Sequence, residues 1–490
     1  MSRSVNRRRF MQTSALAAGA GYFLTAGVTE SRARQNDPLA KLNVACIGSG
    51  GQGGSDLGNV ARTENIVALC DVDAARAAGA FNAHPQAVKY QDFRVMLERQ
   101  RNIEAVTVST PDHVHAHASI MAMRMGKHCY TQKPLTHSVW EARQMKLVAR
   151  ANRVATQMGN QGTSNTTLRQ SVEIIRSGAI GEVREVHVWT NRPIWPQNIN
   201  RPADTPPVPA TLNWDLWLGP APQRPYHNAY VPFAWRGWWD FGTGALGDMA
   251  CHTMNLPYMA LKLGAPTSVV ADLATPLNPE TAPNGCTVTY EFPARENFPA
   301  CRLYWYERRL PPRELFLDGL RPDQNPSGSG MLLVGARGTL YSDSDYGGSR
   351  KLLPTATFVN YQPPEPTLPR SPGHHAEWLR ACKGGPAALS NFVDYAGPLT
   401  EMVNLGNVAM RVGQRIEWDS ANLRVTNTTA AAQYVKRAYR RGWELQGERE
   451  VVAARTVQPA GAVQPAPMPP AQTDERPARF PLLRRLLRRN

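Results

Sequence analysis

The sequence predicts an α/β protein: a doubly wound parallel sheet in its N-terminal third, followed by an α+β domain with a largely antiparallel sheet. Three observations lead there. Over 41–160, apolar strand-length runs alternate with helix-length stretches, the pattern of repeated βαβ units. Beyond Gly181 the strand-like runs alternate apolar and polar residues in places, as strands of an antiparallel sheet do. Between the first two apolar runs, Val44–Ile47 and Ile66–Cys70, stands Gly48-x-Gly50-x-x-Gly53, and the second run ends in Asp71.

That glycine spacing has a chemical reason. Gly48 permits the tight turn, Gly50 lets backbone approach a pyrophosphate, and Gly53 lets the next helix pack closely on the strand. The helix N-terminus, with Gly51 and Gln52, offers unpaired N–H groups and the positive end of its dipole to phosphates. Asp71 stands where a carboxylate accepts from both ribose hydroxyls and repels a 2′-phosphate. The sequence therefore predicts a Rossmann domain that binds NAD rather than NADP.

The remaining elements follow in order. Helices are expected at Ala74–Asn82 and Phe93–Arg99, then a strand at Ala105–Ser109 ending in Thr110-Pro111-Asp112-His113. A helix over Ala116–Met125, a strand at His128–Thr131, a helix over Val139–Ala151 and a strand at Ala155–Met158 complete the unit. In the second domain, strands are expected at Glu182–Thr190, Thr267–Ala274, Cys286–Phe292 and Ala300–Trp305. Proline-rich connectors fill 193–232 and 354–373, and 374–444 is expected to be mostly helical.

Ligands of doubly wound sheets bind outside the carboxyl ends of the strands. Thr110, Pro111 and His113 lie past the fourth strand, Gln132 and Lys133 past the fifth, and Asn160 and Gln161 past the sixth, so all seven are candidate cofactor contacts. His113, His115 and His117 cross a turn into a helix with no Cys or Glu to complete a metal site, so no metal is expected. Asp248 and His252, four residues apart, share one helical face. A histidine there suits proton transfer because its ordinary pKa lies near neutrality. Seven of the twelve tryptophans fall between 189 and 239, where aromatic faces suit either sugar C–H surfaces or ordinary packing; Trp235 and Arg236 are the candidate substrate contacts.

With the glycine loop and Asp71, the run Gly126-Lys127-His128-Cys129-Tyr130-Thr131-Gln132-Lys133-Pro134 resembles the glucose–fructose oxidoreductase / inositol dehydrogenase / MocA family, in a branch with a twin-arginine export signal. The family signature at this strand end is Glu-Lys-Pro, often with a cis Lys–Pro bond; Lys133 and Pro134 match, and Gln132 replaces the glutamate. The resemblance covers about 41–445. It implies an NAD-dependent oxidoreductase acting on CH–OH groups of a sugar or polyol, with Lys133, Asp248 and His252 as the catalytic set, and a homo-oligomer. The family often carries a further acid three residues past the histidine, where Asn255 stands. A Gln132→Glu exchange is expected to preserve activity and shift its pH profile. Two other readings stay open: a redox-neutral NAD-dependent glycoside hydrolase, lyase or isomerase, and a non-catalytic sugar-binding protein that retains NAD.

Composition bounds the rest. The 490 residues suffice for two cores, and 42% hydrophobic residues is a globular share. Asn6-Arg7-Arg8-Arg9-Phe10-Met11-Gln12 and the Ala/Gly-rich stretch after it resemble a twin-arginine signal over 1–33, so a periplasmic, exported protein is expected, loaded with its cofactor before export. The domains expected are then 41–160 for the dinucleotide, 161–446 for substrate, a flexible linker at 447–475 and a basic amphipathic tail at 476–490 suited to weak membrane-surface contact. The net charge of +16 implies no nucleic acid: five arginines lie within 1–33 and six within 476–490, and no nucleic-acid motif accompanies the remainder. The seven cysteines show no CxxC spacing, and Cys46, Cys70 and Cys129 read as buried thiols. If Asp71 is the ribose acid, Asp71→Ala weakens NAD binding and relaxes discrimination against NADP in fluorescence titration; unchanged selectivity would remove that role.

Overall fold

The computed structural model describes residues 40–445; the expected signal at 1–33, linker at 447–475 and tail at 476–490 lie outside them. The first sheet is built from β1 (Asn43–Ile47), β2 (Asn65–Cys70), β3 (Val88–Tyr90), β4 (Ala105–Val108), β5 (His128–Thr131) and β6 (Thr156–Met158). Between them run α1 (Gln52–Val60), α2 (Ala74–Ala83), α3 (Phe93–Arg99), α4 (Asp112–Arg124) and α5 (Val139–Asn152). All pairs are parallel, in the order β3-β2-β1-β4-β5-β6. The order reverses between β1 and β4, which opens the crevice where such sheets hold ligands. Helix starts are set by local chemistry. Asp73 and Asp92 accept from the first-turn N–H groups of α2 and α3, and Ser138 and Glu141 form a reciprocal capping box on α5. Helix α4 starts at Asp112, four residues before the expected start, directly after Pro111, whose φ of −60° leads into it.

The second half contains α6 (Thr166–Arg176), β7 (Val183–Thr190), α7 (Trp214–Leu218), α8 (Gly244–Thr253), α9 (Asn255–Ala260), β8 (Ser268–Leu273), β9 (Cys286–Phe292) and β10 (Cys301–Glu307). After these come β11 (Gly330–Gly335), β12 (Gly338–Ser342), β13 (Lys351–Leu353), α10 (His374–Cys382), α11 (Gly397–Val412), β14 (Ile416–Asp419), β15 (Arg424–Val425) and α12 (Ala432–Val435). The nine strands run β13-β12-β11-β7-β10-β9-β8-β14-β15, antiparallel except for the β7/β10 pair. The expected helical stretch at 374–444 also contributes β14 and β15, which extend the sheet past β8. β14 alternates apolar and polar residues over its four positions, Ile416-Glu417-Trp418-Asp419, and β15, with two residues, is too short to show a pattern.

Two long-range features shape the crevice. Helix α10 follows the second sheet in sequence but packs on the first: Trp378, Leu379 and Cys382 share a core with Val44, Val60, Ala105 and Tyr130. The connector at 193–232 returns to the first sheet too, where Ala74 donates to the Thr211 carbonyl (3.0 Å) and Asn213 to that of Val72 (2.8 Å). Trp214, Trp217, Tyr230, Trp235, Trp238 and Phe241 then pack together behind that contact, with Trp214 and Trp217 stacked 4.8 Å apart. Most tryptophans of this stretch are therefore core, because an irregular connector needs large side chains to bury enough apolar surface. All seven cysteines are buried and unpaired. Among the described residues no helix is long and apolar enough to cross a membrane.

Glu141 is a third fastening. Fully buried on α5, it accepts from the His137 and Ser138 N–H groups, from Arg437 Nε (2.9 Å) and from the Tyr439 hydroxyl (3.0 Å). Truncating one partner of a buried ion pair leaves the other charge uncompensated. Glu141→Ala should therefore lower the unfolding free energy by about 3–5 kcal/mol, measured by urea denaturation.

Candidate active site

The glycine loop has the geometry that its spacing implies. Gly48 has φ +81° and Gly51 φ +56°. A Cβ at Gly53 would lie 2.0 Å from the Gly48 carbonyl oxygen, and one at Gly48 2.5 Å from that of Ser109. Only hydrogen fits at either place, so α1 presses directly on the turn. Asp71 accepts from the N–H groups of Ser49 (2.8 Å) and Asp73 (3.0 Å), joining the turns after β1 and β2; burial pushes its carboxyl up. Beyond these turns opens a cavity of about 420 Å³. Gly48, Gly50, Gly51, Gln52, Asp71, Thr110, Pro111, Gln132 and Lys133 line one side; Leu212, Leu216, Trp235 and Arg236 close the other. The cradle of backbone N–H groups, the acid at its far end and the apolar facing wall fit a dinucleotide.

Lys133 follows β5, and its peptide bond to Pro134 is cis. Its Nζ lies 2.8 Å from Asp248 Oδ1, which also accepts from Arg236 Nε at 3.0 Å. Asp248 and His252 lie one turn apart on α8, as their spacing predicts. Burial alone would raise the Asp248 carboxyl, but Lys133 and Arg236 outweigh it and hold the group below the ordinary carboxylate range. Burial, reinforced by Lys133, lowers His252 to about 3, so the imidazole is neutral; its buried Nδ1 has no hydrogen-bond partner. Tyr346 stands edge-on to that ring at 4.6 Å. The glycines of Gly242-Thr243-Gly244 bring this cluster together: a Cβ at Gly242 would lie 2.5 Å from Arg236 Cα.

Four expected cofactor contacts are not on the cavity wall: Gly53, which packs α1 on the turn, and His113, Asn160 and Gln161. His113 is fully buried between Trp217 and Phe241, its ring nitrogens 3.0 and 3.2 Å from their carbonyl oxygens, and burial lowers it to about 3. It fastens α4 to the connector instead. Asn160 is also fully buried, donating to the Cys251 carbonyl (3.4 Å) and accepting from Ser390 Oγ (2.5 Å), and Gln161 starts a 3₁₀ turn beside it. Lying past the carboxyl end of a strand was the only signal for the last three residues; burial overrides it for His113 and Asn160, and Gln161 is half-buried in its turn. His115 links the two loops that do face the cavity, with Thr110 O and Pro134 O each 2.8 Å from its ring nitrogens. Among the described residues no cluster of His, Cys, Asp or Glu is arranged to hold a metal ion.

Gln132 corrects another expectation. Its Nε2 donates to Asp56 Oδ2 (2.9 Å), and its Oε1 accepts from the Lys133 N–H (3.3 Å). Gln132→Glu would set two buried carboxylates against each other, so it is not the benign exchange that the sequence suggests. Sequence reasoning missed Asp56. The signal was a charge on the stripe Gly53, Leu57, Val60 that α1 turns inward.

Asp112 does not cap α4; its Oδ2 accepts from Thr243 Oγ1 at 2.7 Å. Burial raises it to about 7 against an ordinary 3.8. Between these values the native state holds a proton that the unfolded chain has lost, so this group's contribution to stability falls as pH rises from about 4 to about 7. Asp112→Asn should flatten that slope in urea denaturation series across this window.

Comparison with known proteins supplies the context for this geometry. Residues 42–160 match the model described as oxidoreductase family, NAD-binding Rossmann fold, and 165–280 that described as oxidoreductase family, C-terminal alpha/beta domain. A glycosyl hydrolase family 109 protein of Solibacter usitatus is 30% identical over 157 residues, 28% of this chain and 35% of that protein. An inositol 2-dehydrogenase of Salmonella typhimurium is 26% identical over 151 residues, 30% of this chain and 45% of that protein. These matches span less than half the length of either relative. The WlbA dehydrogenase from Bordetella pertussis, solved with NADH and UDP-GlcNAcA, has the same fold: TM-score 0.55 at 18% identity, covering 78% of this chain and 99% of that one.

Proposed function

Because the chain belongs to the glucose–fructose oxidoreductase / inositol dehydrogenase / MocA family of oxidoreductases, we propose that it is an exported NAD-dependent enzyme that moves a hydride between a sugar or polyol carbinol carbon and the nicotinamide. The observation that carries this reading is the Lys133–Asp248 ion pair, 2.8 Å long, with Lys133 on the wall of the cavity that begins at the glycine loop. A merely sugar-binding protein needs no such pair next to a neutral, unpartnered histidine. The inositol 2-dehydrogenase among the relatives supports the substrate class. Export rests on the twin-arginine motif at residues 6–12.

The bound nicotinamide supplies a hydride acceptor and donor; the protein supplies position and proton handling. Lys133 Nζ hydrogen-bonds the reacting hydroxyl and polarises its O–H bond. Neutral His252 takes the hydroxyl proton and returns it in the reverse direction. Asp248 fixes Lys133, while Arg236, stacked 4.3 Å over Trp235, binds the same Asp248 oxygen and faces the remaining substrate hydroxyls. Holding the reacting groups in this arrangement contributes much of the rate enhancement.

A redox-neutral cycle, in which the same hydride returns to the substrate or to a second sugar, is favoured by one observation. The 211–213 crossing and the wall of Leu212 and Leu216 cover the cavity on the side of Asp71. A dinucleotide held beneath that crossing would exchange slowly, which suits an enzyme working where none is supplied.

The test starts with mass spectrometry of the cofactor extracted from purified protein. NAD in near-stoichiometric amount is expected, and an empty protein with only weak NAD affinity contradicts the reading. Incubation with a sugar panel then follows nicotinamide absorbance and the fate of substrate deuterium. Lys133→Met and His252→Ala should each lower kcat by at least ~10²-fold. Activity within a few-fold of the parent in both variants would return these residues to packing roles.

A further inference from the structure

Asp56 is a fully buried carboxylate on the inward stripe of α1, and four side chains from four parts of the chain donate to it. Oδ2 accepts from Ser109 Oγ (2.8 Å), past β4, and from Gln132 Nε2 (2.9 Å), past β5. Oδ1 accepts from Gln52 Nε2 (3.2 Å), beside the glycine loop, and from His375 Nε2 (3.1 Å) on α10. The His375 ring is itself stacked on Tyr130 at 4.9 Å.

An ionised carboxylate only accepts hydrogen bonds. Asp56 therefore dictates which way the Gln132 amide points: the nitrogen toward Asp56, the oxygen toward the Lys133 N–H. The amide packs closely on Gly159, where a Cβ would lie 2.6 Å from Gln132 Cδ. The chain Asp56–Gln132–Lys133 thus runs from the dinucleotide helix to the residue paired with Asp248.

We propose that Asp56 is a positioning residue for Lys133: Asp56 and Gln132 act as one carboxylate–amide unit that fixes the Lys133 backbone, with the carboxylate placed at 56 rather than at 132. The inference rests on the reading of Lys133 given above, and it explains why position 132 carries an amide. A carboxylate there would face Asp56 at hydrogen-bonding distance with no proton between them, unless the two shared one. The unit is also exchangeable. A carboxylate at 132 still accepts from the Lys133 N–H. An amide at 56 donates to it through nitrogen and accepts from Gln52 and His375 through oxygen.

The experiment compares Asp56→Asn, Gln132→Glu and the double exchange in the full chain. Three readouts are used: kcat with its pH profile, the urea midpoint, and the rate at which an acylating reagent labels Lys133, followed by mass spectrometry. Each single exchange should lower kcat by roughly 10-fold or more, as partners of functional side chains do. Gln132→Glu should lose more activity and stability as pH rises, because its two carboxylates need a shared proton. The double exchange should recover kcat to within about threefold of the parent and restore the labelling rate, a coupling far outside simple additivity. A double variant no better than the product of its singles overturns the proposal. So does an Asp56→Asn variant with a lowered urea midpoint but parental kcat and labelling, which would leave Asp56 a purely structural role. If the parent turns over no sugar, the catalytic reading fails on its own, and rescue of labelling and urea midpoint still decides whether the pair acts as a unit.

Discussion

The site depends on holding together the partly buried Lys133–Asp248–Arg236 cluster. Lys133 comes from the end of β5 and Asp248 from α8, 115 residues later. Charges removed from water lose several kcal/mol of hydration each, and their attraction offsets that only when the geometry is held. The cluster therefore does not hold the fold together; the fold has to hold the cluster. That requirement accounts for the density of fastenings around it: His113 between two backbone carbonyls, His115 bridging the loops after β4 and β5, and Glu141 clamped by Arg437.

These fastenings share a design. Each is a buried polar group: His113 and Glu141 join the parallel sheet to material that follows it, and His115 ties two of the sheet's own loops together. Asp56 reaches α10, and Arg169, fully buried on α6, reaches Glu377 on the same helix at 2.5 Å. A buried polar group tolerates little error, because leaving it without a partner costs about 1–3 kcal/mol. Apolar packing sets which elements meet, and these polar contacts set the register at which they meet. Helix α11, buried nearly all round and packed against α5, α8 and β8, is the apolar half of the same arrangement.

The aromatic and histidine-rich stretches show how composition misleads about a site. Three alternating histidines resemble a ligand set, yet all three are buried within α4. A run of tryptophans resembles a sugar platform, yet Trp189, Trp214 and Trp238 pack into cores, and Trp217 and Trp235, the latter stacked on Arg236, line the cavity. Arg236 was legible as a polar group near the aromatics. Its contact with Asp248 was not, because it depends on Gly242 letting its turn lie against the start of α8.

By itself the sequence determined what short-range geometry encodes. Strand and helix periods gave both sheets, the glycine spacing gave the phosphate turn, and the i, i+4 rule put Asp248 and His252 on one helical face. Each of these follows from residues within about one turn or one strand of each other. Tertiary structure alone decided which groups complete the site. The carboxylate beside Gln132 comes from α1, 76 residues earlier, and the ring that steadies it comes from α10, 319 residues past Asp56. The strap over the cavity comes from a connector without periodicity, and His113 and Asn160 were drawn into the core by neighbours that no local pattern announces. The physical reason is that the environment of a polar side chain is a property of whatever packs against it. In a doubly wound fold those neighbours arrive from opposite ends of the chain.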